Sequence, residues 1–438
     1  MPHSRAPYIS TRASLILLPL SAIGMAQPAS AGAFYLQEQS VKAAGRAFSG
    51  EAADQGAESL WWNPAAIAGA QGNSLSFGAS LVMPSAKVRD DGSTITRPLQ
   101  ATSSVGGNPV ANDPIDNGVI PNAAIGMRLN DQWSLGLAVT APYSFTTSYE
   151  DDSWTRYAAL KTKLRTIDLQ PTIAFAPSPV IGIGVGLNVE YSDAKLSNAL
   201  PNLSPLLPDG RQILKGDGWD VGWSAGVQLH PSDSLVIGAS YKSRIKHKLK
   251  GDVTVSGLLG PLETSNMDVD TRASFSTPWQ AIIGARWMAN QKLTLNAQLA
   301  RIGWNKFDAI RLAAPLSVAI PENYHNTWSI AGGFDYAVDP RWTVRGGVQY
   351  DESPTPDASR DARVPDSNRW NFALGTSYQV TGGFTVDAAA SYIKFKEERI
   401  NRNATAFAGT QAQTPILLHG DIDNAHAIVL SLGGRIAF

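Results

Sequence analysis

Ile181-Gly182-Ile183-Gly184-Val185-Gly186-Leu187-Asn188-Val189-Glu190-Tyr191 sorts its residues into two sets. Odd positions are large and apolar, while even positions are glycine, asparagine or glutamate. A period of two belongs to the β-strand, whose successive side chains point to opposite faces. The dyad recurs at 125–139, 165–177, 219–229, 279–287, 328–338, 342–350 and 370–380. In 235–249 the odd side carries Leu235, Ile237, Ala239, Tyr241 and Ile245. The even side carries Lys242, Arg244, Lys246 and Lys248, which predicts one shared polar face for these four. Strands that meet lipid outside and a polar bore inside alternate in this way. A soluble sandwich alternates too, its inner faces filled by a second sheet.

The links between strands separate the two. Short ones carry turn residues: Asn130-Asp131, Ser178-Pro179, Pro231-Ser232, Asn290-Gln291, Asp339-Pro340 and Thr381-Gly382. They alternate with long links near 84–118, 150–162, 198–217, 251–266, 314–322, 352–367 and 398–423. Tight turns at one rim and long loops at the other are the habit of outer-membrane barrels. Counting between the links predicts fourteen strands, an even number that lets the last pair with the first. The last segment supports closure. Ile428, Leu430, Leu432, Ile436 and Phe438 form a lipid-facing row, and Ala427, Ser431, Gly433 and Arg435 face inward.

Composition agrees. The chain of 438 residues is 43% hydrophobic and only 17% charged, yet no apolar run in its body is long enough for a spanning helix. Twelve tryptophans and twelve tyrosines suit aromatic girdles at two interfaces. Residues 1–31 read as an export signal, with His3, Arg5 and Arg12 as a basic start, an apolar core from Ala13 to Ala26 and Ala29-Ser30-Ala31 as the cleavage site. Losing those two arginines takes the formal charge from −1 to −3, which offers no footprint for nucleic acid. Cysteine is absent, so neither a disulfide framework nor a thiolate metal site is available. Residues 32–72 do not alternate. Ala43, Ala44, Ala47, Ala52, Ala53 and Ala57 are helix-compatible, and Trp61-Trp62-Asn63-Pro64-Ala65 follows. The expectation is an all-β, fourteen-stranded antiparallel transmembrane barrel over 73–438 with a small N-terminal helical hatch, 32–72, in its lumen.

Several stretches together resemble the outer-membrane long-chain fatty acid transporter (FadL) family. They are Gly45-Arg46-Ala47-Phe48-Ser49-Gly50-Glu51, Asn63-Pro64-Ala65, Gly218-Trp219 through Gly222-Trp223, Asp351-Glu352-Ser353-Pro354-Thr355-Pro356 and Val364-Pro365-Asp366-Ser367-Asn368-Arg369. The resemblance covers nearly all of the mature chain. It implies a monomeric barrel in the outer membrane of a Gram-negative cell, inserted by the assembly machinery that reads the terminal Phe438. The neighbours it implies are outer-membrane lipid and lipopolysaccharide. It also implies a route for a hydrophobic ligand, from an apolar groove among outer loops to a tighter pocket, then sideways through a kink in the third strand.

Candidate residues can be set beside each step. Long links hold Leu200, Leu203, Leu206 and Leu207, then Leu258 and Leu259. Apolar side chains there either form a capture surface or pack on one another. Pro142 lies inside an alternating stretch, and proline has no N–H for the ladder. A barrel has no edge to hide it, so Ala141, Pro142, Tyr143 and Ser144 should frame a break in the wall. A fatty acid needs one cation among apolar walls. By resemblance, Arg311 falls where the family has a pocket lysine, and the second basic position is Asn198 here, with Lys195 three residues away. That departure leaves a fatty acid and a neutral aromatic hydrocarbon both open. Gly32-Ala33-Phe34 resembles the segment that reaches up beside the pocket, bringing an α-ammonium and an aromatic wall. Asn63, Pro64 and Ala65 are expected to hold the hatch near the wall opening.

Enzyme chemistry finds little purchase. The glycines of 182–186 lie within one continuing strand, whereas a dinucleotide fingerprint needs a strand, a turn and a helix. The six histidines lack metal-ligand spacing. No cofactor is expected, and transport without an energy source is, with an open porin for polar solutes as the alternative from another class.

Overall fold

The computed structural model describes residues 33–314 and 316–438; the expected export signal and Gly32 lie outside the described residues. Strand β1 is Ser74–Asp90, β2 Gly118–Arg128, β3 the interrupted pair Trp133–Thr140 and Ser144–Ser148, and β4 Lys161–Ser178. Next come β5 Ile181–Leu200, β6 Gly210–Ser232, and β7 as Leu235–Lys242 and Lys246–Ser256. Strand β8 is Met267–Ser276 with Trp279–Met288, β9 Leu293–Gly303, β10 Thr327–Ala337 and β11 Trp342–Asp351. Strands β12 Arg369–Thr381, β13 (Phe384–Phe395 and Glu398–Ala406) and β14 Thr414–Ala437 complete fourteen. Each pairs antiparallel with the next, and β14 returns to β1 from Ser74↔Ala437 to Asp90↔Gly420. Asn73 and Phe438 exchange backbone hydrogen bonds of 3.0 and 3.1 Å at the lower end of this seam.

Alternation decides which side is greasy. Ile183, Val185 and Leu187 on β5 and Ile428, Leu430 and Leu432 on β14 are exposed, while Asn188, Glu190 and Ser431 are buried in the lumen. Several strands run well past the bilayer level, so Leu196 and Leu200 belong to β5 and Ile213 and Leu214 to β6 rather than to loops.

The shared polar face expected for β7 does not exist. The ladder breaks at Ser243–Ile245, and side-chain parity reverses across the break. Lys242 is turned inward, its Nζ 4.2 Å from the Trp61 ring centre. Beyond the break Lys246, Lys248 and Lys250 are exposed, whereas His247 and Leu249 are buried between them. A one-residue slip moves every later side chain to the opposite face. Strand β8 breaks alongside, at Thr277-Pro278, where the proline cannot donate to the ladder and the Thr277 N–H bonds the Ile245 carbonyl at 2.9 Å.

Inside the barrel, residues 33–67 are buried apart from Lys42, Gln55 and Gly56. One helical turn, Val41–Ala44, is capped by Ser40, and three 3-10 turns follow, the last opened by Asn63 with Pro64 at its first position. The alanines and glycines serve close approach more than helix. A Cβ on Gly184 would sit 2.3 Å from the Pro64 carbonyl carbon, and one on Gly238 1.8 Å from the Ala52 oxygen. Small lumen-facing residues therefore make room for hatch backbone. Charge completes the seat. Arg46, fully buried, bonds Glu51 at 2.6 Å and Asp54 at 2.5 Å, and reaches Asp335 of β10 at 3.2 Å. Asp335 also accepts from Arg345 at 2.6 Å and Asn296 at 2.9 Å, and forms an ion pair with Arg286 at 3.2 Å. Ala47 and Phe48, at φ 50° and 60°, are held in a strained left-handed turn beside this cluster.

Candidate functional site

Pro142 does break the wall. Pairing of β2 with β3 ends at Ala123↔Val139, and the outer segment Ser144–Ser148 pairs with β4 alone. The gap closes again above, where Asp116 N donates to Thr146 O at 3.0 Å and Ser148 N to Pro114 O at 2.7 Å. What remains is a window between two neighbouring strands. Free backbone groups in such a window must find partners, and the hatch supplies them. Leu36 N donates to Pro142 O at 2.8 Å, Ser144 N to Phe34 O at 3.0 Å, and the Gln39 amide bridges the N–H and C=O of Ala141 at 2.9 and 3.1 Å. Residues 34–39 thus occupy the place that β2 vacates.

Phe34 belongs to two structures at once. Its carbonyl plugs the window, and its ring enters a cluster formed with Trp304 (centroids 4.9 Å apart), Phe307 (5.0 Å), Phe145 (5.9 Å) and Tyr143 (6.1 Å). On the far side of that ring lies an apolar cavity, lined by Phe145, Leu164, Leu214, Leu249 and Phe275 among others. Mostly apolar walls with a few placed polar groups are usual for small-molecule sites.

One guanidinium interrupts the apolar lining. Arg363 lines the cavity from the long link between β11 and β12. Its Nη2 donates to Asn198 Oδ1 at 3.3 Å, and its Nη1 is buried with no hydrogen-bond partner among the described residues. A desolvated donor without an acceptor is costly and is rarely left so in a folded protein. Asn198, where the resemblance places a cation, instead positions one supplied by a distant loop. Glu322 also borders the cavity. Burial, reinforced by Asp361, pushes its carboxyl up to about 8, against the pull of Arg402 and Arg363.

Other candidates fall elsewhere. Arg311 points out of the barrel, half exposed, with Asp308 at 2.5 Å; that pairing holds the Asp308 carboxyl down at about 2. Its neighbour Ile310 lines the cavity instead. Lys195 stands in register with Lys163 and Lys215, on the outward side of the wall whose inward side carries Leu164, Ala194 and Leu214. Leu258 is buried, and Leu200 and Leu203 pack against it in a loop core; Leu206, Leu207 and Leu259 remain exposed at the outer end. Leu196 and Leu214 belong both to this loop core and to the cavity wall, so the core around Leu258 and the cavity are joined by continuous apolar packing. Asn63, Pro64 and Ala65 lie away from the window. The Asn63 amide donates to Val227 O of β6 at 3.1 Å and to Ala52 O at 2.6 Å, seating the hatch against β5 and β6. Arg363, Glu322 and Trp304 were missed as site residues. Arg363 directly precedes the Val364–Arg369 stretch that had drawn attention for resemblance alone.

Comparison with known proteins bears on this geometry. A family model described as outer membrane protein transport protein (OMPP1/FadL/TodX) matches residues 22–438. The long-chain fatty acid transport protein of Escherichia coli O6:H1 is 27% identical over 405 residues, 83% of this chain and 88% of its own. Outer membrane protein P1 of Haemophilus influenzae is 24% identical over 424 residues, 87% and 90% of the two chains. Among solved structures, a Pseudomonas aeruginosa FadL homologue superimposes with a TM-score of 0.81 at 24% identity, covering 93% of this chain and all of its own. The Ralstonia pickettii toluene transporter TbuX gives 0.62 at 16% identity, covering 91% and 98%. At those identities the two structures establish the fold alone.

Proposed function

The chain belongs to the outer membrane protein transport protein (OMPP1/FadL/TodX) family, and from that footing we propose that it takes up long-chain fatty acids across the outer membrane without an energy source. Membership and the barrel make it a Gram-negative outer-membrane transporter of hydrophobic compounds. The choice of a carboxylate-bearing ligand rests on one observation, the unpartnered Nη1 of Arg363 in a cavity whose walls are mostly apolar. In this reading residues 1–31 are the export signal and 32–72 the hatch. The assembly machinery inserts the barrel as a monomer, with outer-membrane lipid and lipopolysaccharide around it, and no reaction is catalysed.

The ligand lands on Leu206, Leu207 and Leu259, transfers along Leu196 and Leu214, and settles with its carboxylate on Arg363. Each methylene removed from water contributes about 0.8 kcal/mol. Leaving requires the Phe34 ring to swing and residues 34–39 to withdraw from the window, which opens the wall to the bilayer between β2 and β3. Pro142→Val should let β3 pair further with β2 and slow uptake severalfold into fatty-acid-loaded proteoliposomes, with the barrel intact. Undiminished uptake by a folded variant removes the window from the route.

Glu322 gives the binding step a pH dependence. Below about 8 its carboxyl is neutral, and Arg363 sets the sign of the cavity. Above that value the carboxylate competes for the guanidinium and repels the ligand. Fatty-acid affinity, measured by displacement of a fluorescent analogue, should therefore fall as pH rises through 8, and Glu322→Gln should flatten the profile. A wild-type profile that is already flat contradicts the assignment.

Aromatic hydrocarbon uptake is the second reading. The ring cluster around Phe34 favours it, because these faces suit an apolar aromatic guest as well as an alkyl chain. Comparing palmitate with toluene in the displacement assay separates the two.

A further inference from the structure

The breaks in β7 and β8 have an outcome on the outside of the wall. Arg244, Lys246, Lys248 and Lys250 are exposed there, joined by Arg272 of β8, which stands in register with Lys250. Had both strands kept the parity of their lower halves, Lys246, Lys248, Lys250 and Arg272 would face the lumen. The ion pairs of β7 involve its inward Lys242 and His247. The five outward cations form none among the described residues. Asp217 faces Lys250 in register, Asp252 and Asp270 stand in register with each other farther out, and the Asp220 carboxylate accepts from the Lys248 backbone N–H at 2.8 Å between the strands.

Immediately below the breaks Trp223, Tyr241 and Trp279 stack across β6, β7 and β8, with centroids 5.3 and 6.1 Å apart. Exposed aromatic rings of this kind mark the level where hydrocarbon gives way to headgroups. The cations begin on the outer-rim side of that row, beside the exposed Trp219. Unpaired lysines packed at alternate positions along one strand repel one another unless an anion lies among them.

We propose that this patch is a binding site for the phosphates of an outer-leaflet lipid, with acyl chains against Trp223, Tyr241 and Trp279 and phosphate oxygens among Lys246, Lys248, Lys250 and Arg272. Arginine meets such a group in a planar fork, and the lysines as point charges. The inference rests on the outer-membrane placement and not on what the cavity carries. Lipid and free phosphate share the recognising chemistry, but only the lipid uses the aromatic row.

The full-length protein in phosphatidylcholine nanodiscs tests this. The probes are bisphosphorylated lipid A, an acyl-matched dephosphorylated form, and inorganic phosphate as competitor. The wild type is expected to prefer the bisphosphorylated lipid by roughly tenfold or more, given the strength of cation clusters at anionic surfaces. The variant Lys246→Gln/Lys248→Gln/Lys250→Gln/Arg272→Gln should lose that preference while still binding fatty acid. If it fails to fold, Lys248→Gln/Lys250→Gln should show an intermediate loss. Equal affinity of the wild type for both lipids, or a full preference kept by a folded variant, overturns the proposal. So does displacement of the lipid by millimolar inorganic phosphate, which would mark a free-anion site. A wild type that discriminates between the lipids but binds no fatty acid would defeat the transport reading and leave this one standing.

Discussion

Arg363→Met weakens binding of a long-chain fatty acid by roughly 10- to 100-fold and leaves a neutral hydrocarbon of similar length nearly unaffected. A hydrogen bond to a charged group is worth about 1.5–3 kcal/mol, and here the guanidinium is already stripped of water. The ligand therefore does not bear that cost again when it binds. Methionine retains much of the apolar stem, so cavity volume changes little and the charge is what goes. Arg363→Lys should restore part of the affinity as a point charge without the planar fork. Isothermal titration with palmitate and with hexadecane reads the difference. Parallel losses for both ligands would show that the side chain matters only as packing. An unchanged palmitate affinity would return the anchor to an unidentified group.

The second large effect concerns the seat of the hatch. Asp335→Ala removes the one carboxylate on which Arg46, Arg286 and Arg345 converge. Breaking a buried pair from one side typically costs about 3–5 kcal/mol, and the cost here lies toward the lower figure because Arg46 keeps Glu51 and Asp54 and Arg286 keeps Asp54. The expected result is a hatch that leaves its seat, read as steady ion current in planar bilayers where the wild type is silent. Limited proteolysis should also cut within 33–72, while strands stay protected. Asp335→Asn keeps the shape and some of the hydrogen bonds and should fall between the two. Silence in the bilayer from the folded alanine variant would mean that the glycine-lined backbone contacts suffice alone.

Much of the fold could be read from residue order. Period-two alternation on β5 and β14, turn pairs such as Asn130-Asp131, and the proline at 142 are local signals, and each maps onto an element. The reversal in β7 was illegible because Ser243-Arg244-Ile245 contains no proline or glycine to announce it. The sequence continues to alternate through the break, yet the faces exchange. Strand β8 carried a hint in Pro278, whose partner break could be inferred only from the pairing. The site was less legible. Arg311 misses the cavity by one position, since Ile310 takes the inward side of a strand extension. Arg363 meets Asn198 across 165 residues of chain, and nothing in either segment names the other. The leucines of the outer links were visible, but which are packed and which are bare depends on how three loops meet.

The seam between β1 and β14 encircles residues that precede it in the chain. A plug knit to the wall by buried ion pairs and by backbone packed against glycine couples the stopper to the ring. Whatever steadies the closed cylinder steadies what it encloses, and a loosened seam and a loosened stopper are expected together.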